Sequence, residues 1–346
     1  MGSQQMMMGM AGETGVPVPA GAILPYSSSS APSGWSLFTS ANGRYIVGAG
    51  SSYAAGATGG ETTKAISATA SNTGTHPGQP RPGGTCGPGP NDQNPGGAHS
   101  HNISVTASCE DVYKDFVLIK ADAETLIPAG AMLLGASSLA ELTNVETTTD
   151  RFLRANSTYG GTGGSSSLSG PGTSSNSGSH NHGSAAGNCS PEGEYPGNGA
   201  GPSGSHSHAF TVTGTLATKR RYLTAWTNAA EEFGAALNGI CMYESGTPPA
   251  GWSICNGTNG TPDMRDYFCR IGNTGNQGTS AGDNNVSWSA SLSNDVPHGH
   301  ISGGGRSNQQ QDAGHNGKSW SHTHNVSGSV TVTQSYYALY FIMYTG

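Results

Sequence analysis

Along this chain, short apolar runs are set between long tracts of Gly, Ser, Thr and Asn, and the runs have the length of strands. Phe116-Val117-Leu118-Ile119 and the stretch from Tyr336 to Met343 are the clearest. Runs of this size, rich in β-branched and aromatic residues and bounded by turn formers, read as β-strands. Ser104-Val105-Thr106, Thr211-Val212-Thr213 and Ser329-Val330-Thr331-Val332 are strand-like too. Each precedes an aromatic strand: Tyr113 to Ile119, Tyr222 to Trp226, and Tyr336 to Tyr344. One helix-like stretch, Ala229 to Leu237, reads as a linker. The pattern predicts an all-β protein with elongated or intertwined strands and long Gly/Ser-rich loops.

The same order of features occurs three times, with a period of roughly 110 residues. Pro19-Ala20-Gly21-Ala22-Ile23-Leu24, Pro128-Ala129-Gly130-Ala131-Met132-Leu133 and Leu237-Asn238-Gly239-Ile240-Cys241-Met242 open the three copies. Copies one and three continue into Pro32-Ser33-Gly34-Trp35 and Pro249-Ala250-Gly251-Trp252; copy two has Ser137 to Asn144 there instead. All three then carry an aromatic segment, Arg44-Tyr45-Ile46-Val47, Arg151-Phe152-Leu153-Arg154 or Asp266-Tyr267-Phe268-Cys269-Arg270, followed by a long polar tract. The expected organisation is an N-terminal arm at 1–16 and repeats at 17–125, 126–235 and 236–346. Within the polar tracts, Gly160 to Gly178 and Gly183 to Gly204 read as loops able to present Tyr195 or Asn198 to a glycan.

Composition changes the picture in one respect. Gly accounts for 55 of 346 residues and charged residues for only 10%, whereas disordered chains usually carry abundant charge. Each apolar run is too brief for a large core, so intertwining or metal is the expected way to hold small cores together. A net charge of -7, with Lys219-Arg220-Arg221 as the one basic cluster, argues against nucleic-acid binding. No apolar stretch approaches a membrane span, the first residues lack the features of a signal peptide, and Met6 stands where a myristoylation signal wants Ser or Thr. Cys86, Cys109, Cys189, Cys241, Cys255 and Cys269 contain no Cys-x-x-Cys pair. They are expected as reduced, mostly buried thiols, with one disulfide among the last three left open.

The candidate chemistry is histidine. Ten of the 12 histidines form five His-x-His pairs, where random placement would give roughly 0.4. On a strand, residues i and i+2 share a face, about 7 Å apart, so two imidazoles can converge on one ion. His99/His101, His206/His208 and His322/His324 each lie just before a Thr/Val/Ser strand and together would complete a six-imidazole site. His180/His182 and His298/His300, with His76 as the only counterpart in copy one, would form a second, incomplete site. His315 reads as a surface residue. Zinc prefers four ligands, while ferrous iron, nickel and cobalt accept six. A saturated shell leaves no position for substrate, so the ion is expected to be structural rather than catalytic and the protein not an enzyme. Trp35 and Trp252 are expected as core anchors, and Asp263-Met264-Arg265-Asp266 as a salt-bridged turn. No nucleophile-elbow context accompanies the many serines.

The segment PPAGWSICNGTNGTPDMRDYFCRIGN, Pro248 to Asn273, resembles the phage tail collar domain, with its Pro-x-Gly-Trp turn, Asn-Gly step and Pro-Asp-Leu-Arg-like turn before an aromatic. The ending from Ser335 to Met343 is similar as well. The resemblance is closest over Gly239 to Gly346, extends to Pro17 to Ala121, and is faint over Pro128 to Ala229. The chain is similar too to the needle-like tips of long tail fibres and to short tail fibres, trimers in which His-x-His pairs from three chains meet on the threefold axis and bind iron. The resemblance implies Fe²⁺, with Ni²⁺, Co²⁺ or Zn²⁺ as alternatives, in a virion protein made in the host cytoplasm. Its implied partners are other virion proteins and a host-surface glycan or protein. Members usually carry one copy per chain, so three tandem copies leave two arrangements open: an intramolecular pseudo-trimer, or a homotrimer with copies strung along its axis. The expected function is host attachment at a tail fibre or tail tip. A capsid or tail decoration or adaptor protein without receptor binding is the alternative, and a polysaccharide-degrading spike a more distant one.

Overall fold

The structure is a computed structural model that describes residues 16–71, 100–145, 150–174, 208–272, 275–292 and 324–346. Those residues form β-strands and turns, with no helix among them. The first segment contributes β1 (Ile23–Tyr26), β2 (Trp35–Leu37), β3 (Tyr45–Gly48), β4 (Thr58–Gly59), β5 (Thr63–Ser71), β6 (Ser100–Ser108) and β7 (Tyr113–Ala121). The second gives β8 (Met132–Gly135), β9 (Thr143–Asn144), β10 (Arg151–Ala155), β11 (Thr162–Gly163), β12 (Ser167–Thr173), β13 (Ala209–Thr215) and β14 (Arg220–Thr227). The third gives β15 (Ile240–Tyr243), β16 (Trp252–Ile254), β17 (Phe268–Ile271), β18 (Ser280–Ala281), β19 (Asn285–Leu292), β20 (His324–Thr331) and β21 (Tyr336–Tyr344).

Two sheets result, a head and a stalk. In the head, the opening strands β1, β8 and β15 lie together, joined by Ile23↔Met242, Ile240↔Leu134 and Tyr26↔Ala131. Each also pairs antiparallel with the closing strand of its own segment, β7, β14 or β21. The aromatic strands do something different. β10 pairs parallel with β7 of the segment before it, β17 with β14, and β3 with β21. Parallel neighbours require distant connections, and here every segment is laced into the next.

The head core draws on all three segments, with Ile23, Met132, Ile240, Phe116, Leu223 and Leu339 among its buried members. Trp35 and Trp252 are buried in an adjoining cluster, as expected of core anchors. Tyr45, Phe152 and Phe268 form a third, with Tyr45 and Phe268 each edge-on to Phe152. Edge-on packing suits the ring quadrupole.

The stalk is three antiparallel hairpins, β5–β6, β12–β13 and β19–β20, in the order β20-β19-β13-β12-β6-β5. β20 also approaches β5, so the six strands wrap around a single core. Strict alternation builds that core. In β19, Val286, Trp288, Ala290 and Leu292 point inward and Asn285, Ser287, Ser289 and Ser291 outward. Two aromatics lie over glycines directly across from them, Phe210 on Gly172 and Trp288 on Gly328. A Cβ on either glycine would stand within 3 Å of the ring, so these glycines make room for the aromatic payload.

Several sequence expectations need correction. Ala229 to Leu237 is not helical: Phe233 and Ala235 form β-bridges to Ile127 and Val16. The polar tracts are not all loop, since β5, β12 and β19 lie within them, and Ser167–Thr173 occupies part of Gly160 to Gly178. In the second segment, Glu141 adopts a left-handed φ of 64° one residue before Leu142, as Gly34 and Gly251 do before their tryptophans. Leu142 packs against the same cluster as those tryptophans, so the turn is retained with other residues. The opening turn of the third segment has Asn238, φ 68°, where Gly21 and Gly130 stand, one residue earlier than a glycine match suggests.

Candidate metal centre

The hairpin stalk determines where the histidines go. On β6 the inward residues are Ala107, Val105, Ile103 and then His101; the outward ones are Ser108, Thr106, Ser104 and Asn102. His208, just ahead of β13, continues the inward series of Val212 and Phe210. Both imidazoles are buried, and their ring centroids lie 4.6 Å apart at 86°. Ser174 closes the second hairpin beside them. Its Oγ accepts a hydrogen bond from the His208 amide at 2.8 Å and lies 3.5 Å from His101 Nδ1, while its own amide donates to the His208 carbonyl.

His324 is the first residue of β20, in register with Leu292, two positions before Val326. The three hairpins therefore bring the second histidine of each register-matched pair to the same end of the stalk. Their partners His99, His206 and His322 lie outside the described residues, as do His76, His180, His182, His298 and His300. Among the described residues no group of three or more His, Cys, Asp or Glu is placed to hold an ion. The residues that are described fit the donor set of an all-nitrogen site: two imidazoles, withdrawn from water, from two different hairpins.

At the opposite end of the stalk lies a polar layer that carries no motif. Asp111, Thr218 and Gln334 are all buried. Gln334 donates through Nε2 to the Cys109 carbonyl (2.8 Å) and to Thr218 Oγ1 (3.3 Å), and its Oε1 accepts from the Asp111 amide (3.0 Å). Asp111 Oδ1 accepts from the Val112 amide at 2.8 Å. Burial raises the Asp111 carboxyl above the usual carboxylate range, against the pull of Arg270 and Arg220. The one signal available in the sequence was position, since each residue stands two before an aromatic closing strand.

Cys109, Cys241, Cys255 and Cys269 are free and buried. Burial pushes the Cys109 thiol up to about 11 and raises the other three as well, which suits inert packing rather than nucleophilic or ligating thiolates. The Asp263–Asp266 turn is salt-bridged, with Arg265 Nη2 2.8 Å from Asp263 Oδ2. No protein-family model matches the chain, nor does any curated protein or solved structure.

Proposed function

We propose that this chain is a structural protein of a tailed-phage virion, of the tail-fibre or tail-tip type, in which three collar-like repeats fold as an intramolecular pseudo-trimer. The stalk would carry a structural metal ion, and the chain would mediate attachment to the host surface. The observation that carries the reading is the pair His101 and His208, buried side by side at the end of the hairpin stalk. The pseudo-trimer is supported by seven strands per segment and by the lacing of each segment into the next. Three equivalent strands meeting there would supply six imidazoles, a shell suited to ferrous iron, nickel or cobalt more than to zinc. Such an ion would tie together long Gly-rich strands whose ordering costs conformational entropy, because a site formed only on folding adds its binding free energy to stability.

Metal analysis with native mass tests this. One to two ions per chain and the mass of one chain are expected, with His101→Ala/His208→Ala removing the ion. Near-zero iron, nickel, cobalt and zinc after mild purification would overturn the metal reading, and a mass of three chains would overturn the pseudo-trimer. Attachment predicts that deleting residues 183–204, which spares every candidate histidine, abolishes binding to host cells while the stalk still forms. Retained binding with an intact virion would point to a decoration role instead.

A further inference from the structure

Three copies packed by identical chemistry would have nothing to fix their order, yet the contacts between segments are alike in backbone and unlike in side chain. The neck illustrates this. Gly164, Gly282 and Gly60 have φ values of 72°, 78° and 75°, and each lies against the carbonyl of the preceding segment's neck residue: Asp111, Thr218 and Gln334 respectively. A Cβ there would stand 2.0, 2.3 and 2.0 Å from those oxygens. The backbone thus repeats three times, while the side chains are one acid, one hydroxyl and one amide. Gln334 bonds to both other segments at once. Three buried carboxylates at this level would repel one another.

The parallel junctions differ in the same way. The third pair of the four in each junction is Asp115↔Arg154, Tyr222↔Arg270 or Ala338↔Val47. In the first, Arg154 Nε lies 2.7 Å from Asp115 Oδ1, its Nη1 2.9 Å from Glu110, and its guanidinium 3.4 Å from the Tyr113 ring centre. In the second, Arg270 lies 5.6 Å from the Tyr222 ring centre and bonds to Asp150 at 2.9 Å. The third is apolar, and Ala338 and Val47 are fully buried.

We infer that these unlike contacts are a key that fixes one cyclic order of the segments, first to second to third to first, within a single chain. The inference rests on the pseudo-trimer reading. It excludes a homotrimer of stacked like copies. That arrangement would set Asp115 against Val47 and Arg270 against Ala338, and it would gather three Asp111 side chains on one axis. Placing the segments in the order first, third, second would preserve an acid–base contact at Asp115 with Arg270, but would bury Arg154 against Ala338 with no carboxylate opposite.

The test uses full-length chains. A circular permutant in the order second, third, first keeps every junction and is expected to unfold at the natural chain's temperature. The transposed order is expected to unfold at a lower one. Ala338→Asp then separates the key from any trivial effect of rearrangement. It buries an acid beside Val47 in the natural order and should lower the melting temperature there, but it gives Arg154 its carboxylate in the transposed chain and should raise it. Equal stability of the permuted and transposed chains, or the same sign of Ala338→Asp in both, overturns the key. A native mass of three natural chains overturns the pseudo-trimer itself, a separate outcome.

Discussion

A methyl group on Gly164 would meet the Asp111 carbonyl at 2.0 Å, on a backbone whose φ of 72° disfavours any side chain. Gly164→Ala is therefore expected to destabilise the fold by roughly 1–3 kcal/mol from strain alone, measured by denaturant unfolding, whereas Ala at Gly160, which has open space around it, incurs only the smaller cost of its positive φ. Equal losses at the two sites would deny the neck its tight fit. Asp111 itself yields a pH prediction. Burial raises its folded carboxyl above the unfolded value, so the protonated form is favoured on folding. Its contribution is complete below the ordinary carboxylate range and is lost as pH rises through the raised folded value. Asp111→Asn should match or exceed the natural protein at neutral pH and flatten the change in melting temperature between pH 4 and 7, measured in chelator so that histidine protonation releases no metal. A steeper profile in the variant would contradict this. Gly164 was not legible as special in the sequence, and Asp111 only through its place two residues before β7. Their importance comes from what another segment presses against them, and no local pattern encodes that. Asn238 and Glu141 were hidden for a related reason: each adopts the left-handed backbone that glycine adopts at Gly21 and Gly34.

At the scale of elements, what was legible followed apolar content. The aromatic closing strands and the Thr/Val strands before the head were predicted, because their inward residues are large. β5 and β12 were missed, because their inward positions are filled by Ala68, Ala70, Gly170 and Gly172 as much as by Ile66 and Leu168. β19 was missed although its inward face carries Val286, Trp288 and Leu292. Gly172 on β12 makes room for the Phe210 ring on the facing strand, as Gly328 on β20 does for Trp288 of β19, and hydrophobicity alone does not register that. Alternation in a half-buried strand places His101 and His208 inside, while their partners His99 and His206 lie outside the described residues. The parallel junction between β7 and β10 carries its own prediction. Asp115 is nearly buried, and its Arg154 partner is only 15% exposed. Removing the acid alone leaves a guanidinium without its best partner, so Asp115→Ala should cost about 3 kcal/mol; Glu110 remains to limit the loss. Adding Arg154→Met should recover most of it, since replacing both members of a buried pair is often neutral. A double variant no better than Asp115→Ala would show that packing rather than charge holds the junction.

For the whole molecule, the division into head and stalk makes the proposed role of metal separable from the rest of folding. The stalk core is its own cluster, and the head cores lie beyond the neck. The proposed ion at the far end of the stalk would stabilise mainly what it touches. A ligand bound to the folded state alone adds RT ln(1 + [L]/Kd), about 4 kcal/mol at a thousandfold excess over Kd. Withdrawing it should therefore lower the unfolding of the stalk and leave the head nearly unchanged. Trp288 reports on this directly, because it is buried in the stalk core, whereas Trp35, Trp226 and Trp252 are buried in the head. With metal, tryptophan fluorescence should follow one transition. In chelator, a first, lower transition should separate, and Trp288→Phe, made in a Trp320→Phe background, should remove the fluorescence change that accompanies it. His101→Ala/His208→Ala should behave as the chelated protein does, and re-adding iron should restore the single transition only where both histidines are present. A single transition that chelator does not move would show that the imidazoles pack the stalk without binding an ion. The stalk would then have to rest on Phe210, Trp288 and their aliphatic neighbours alone.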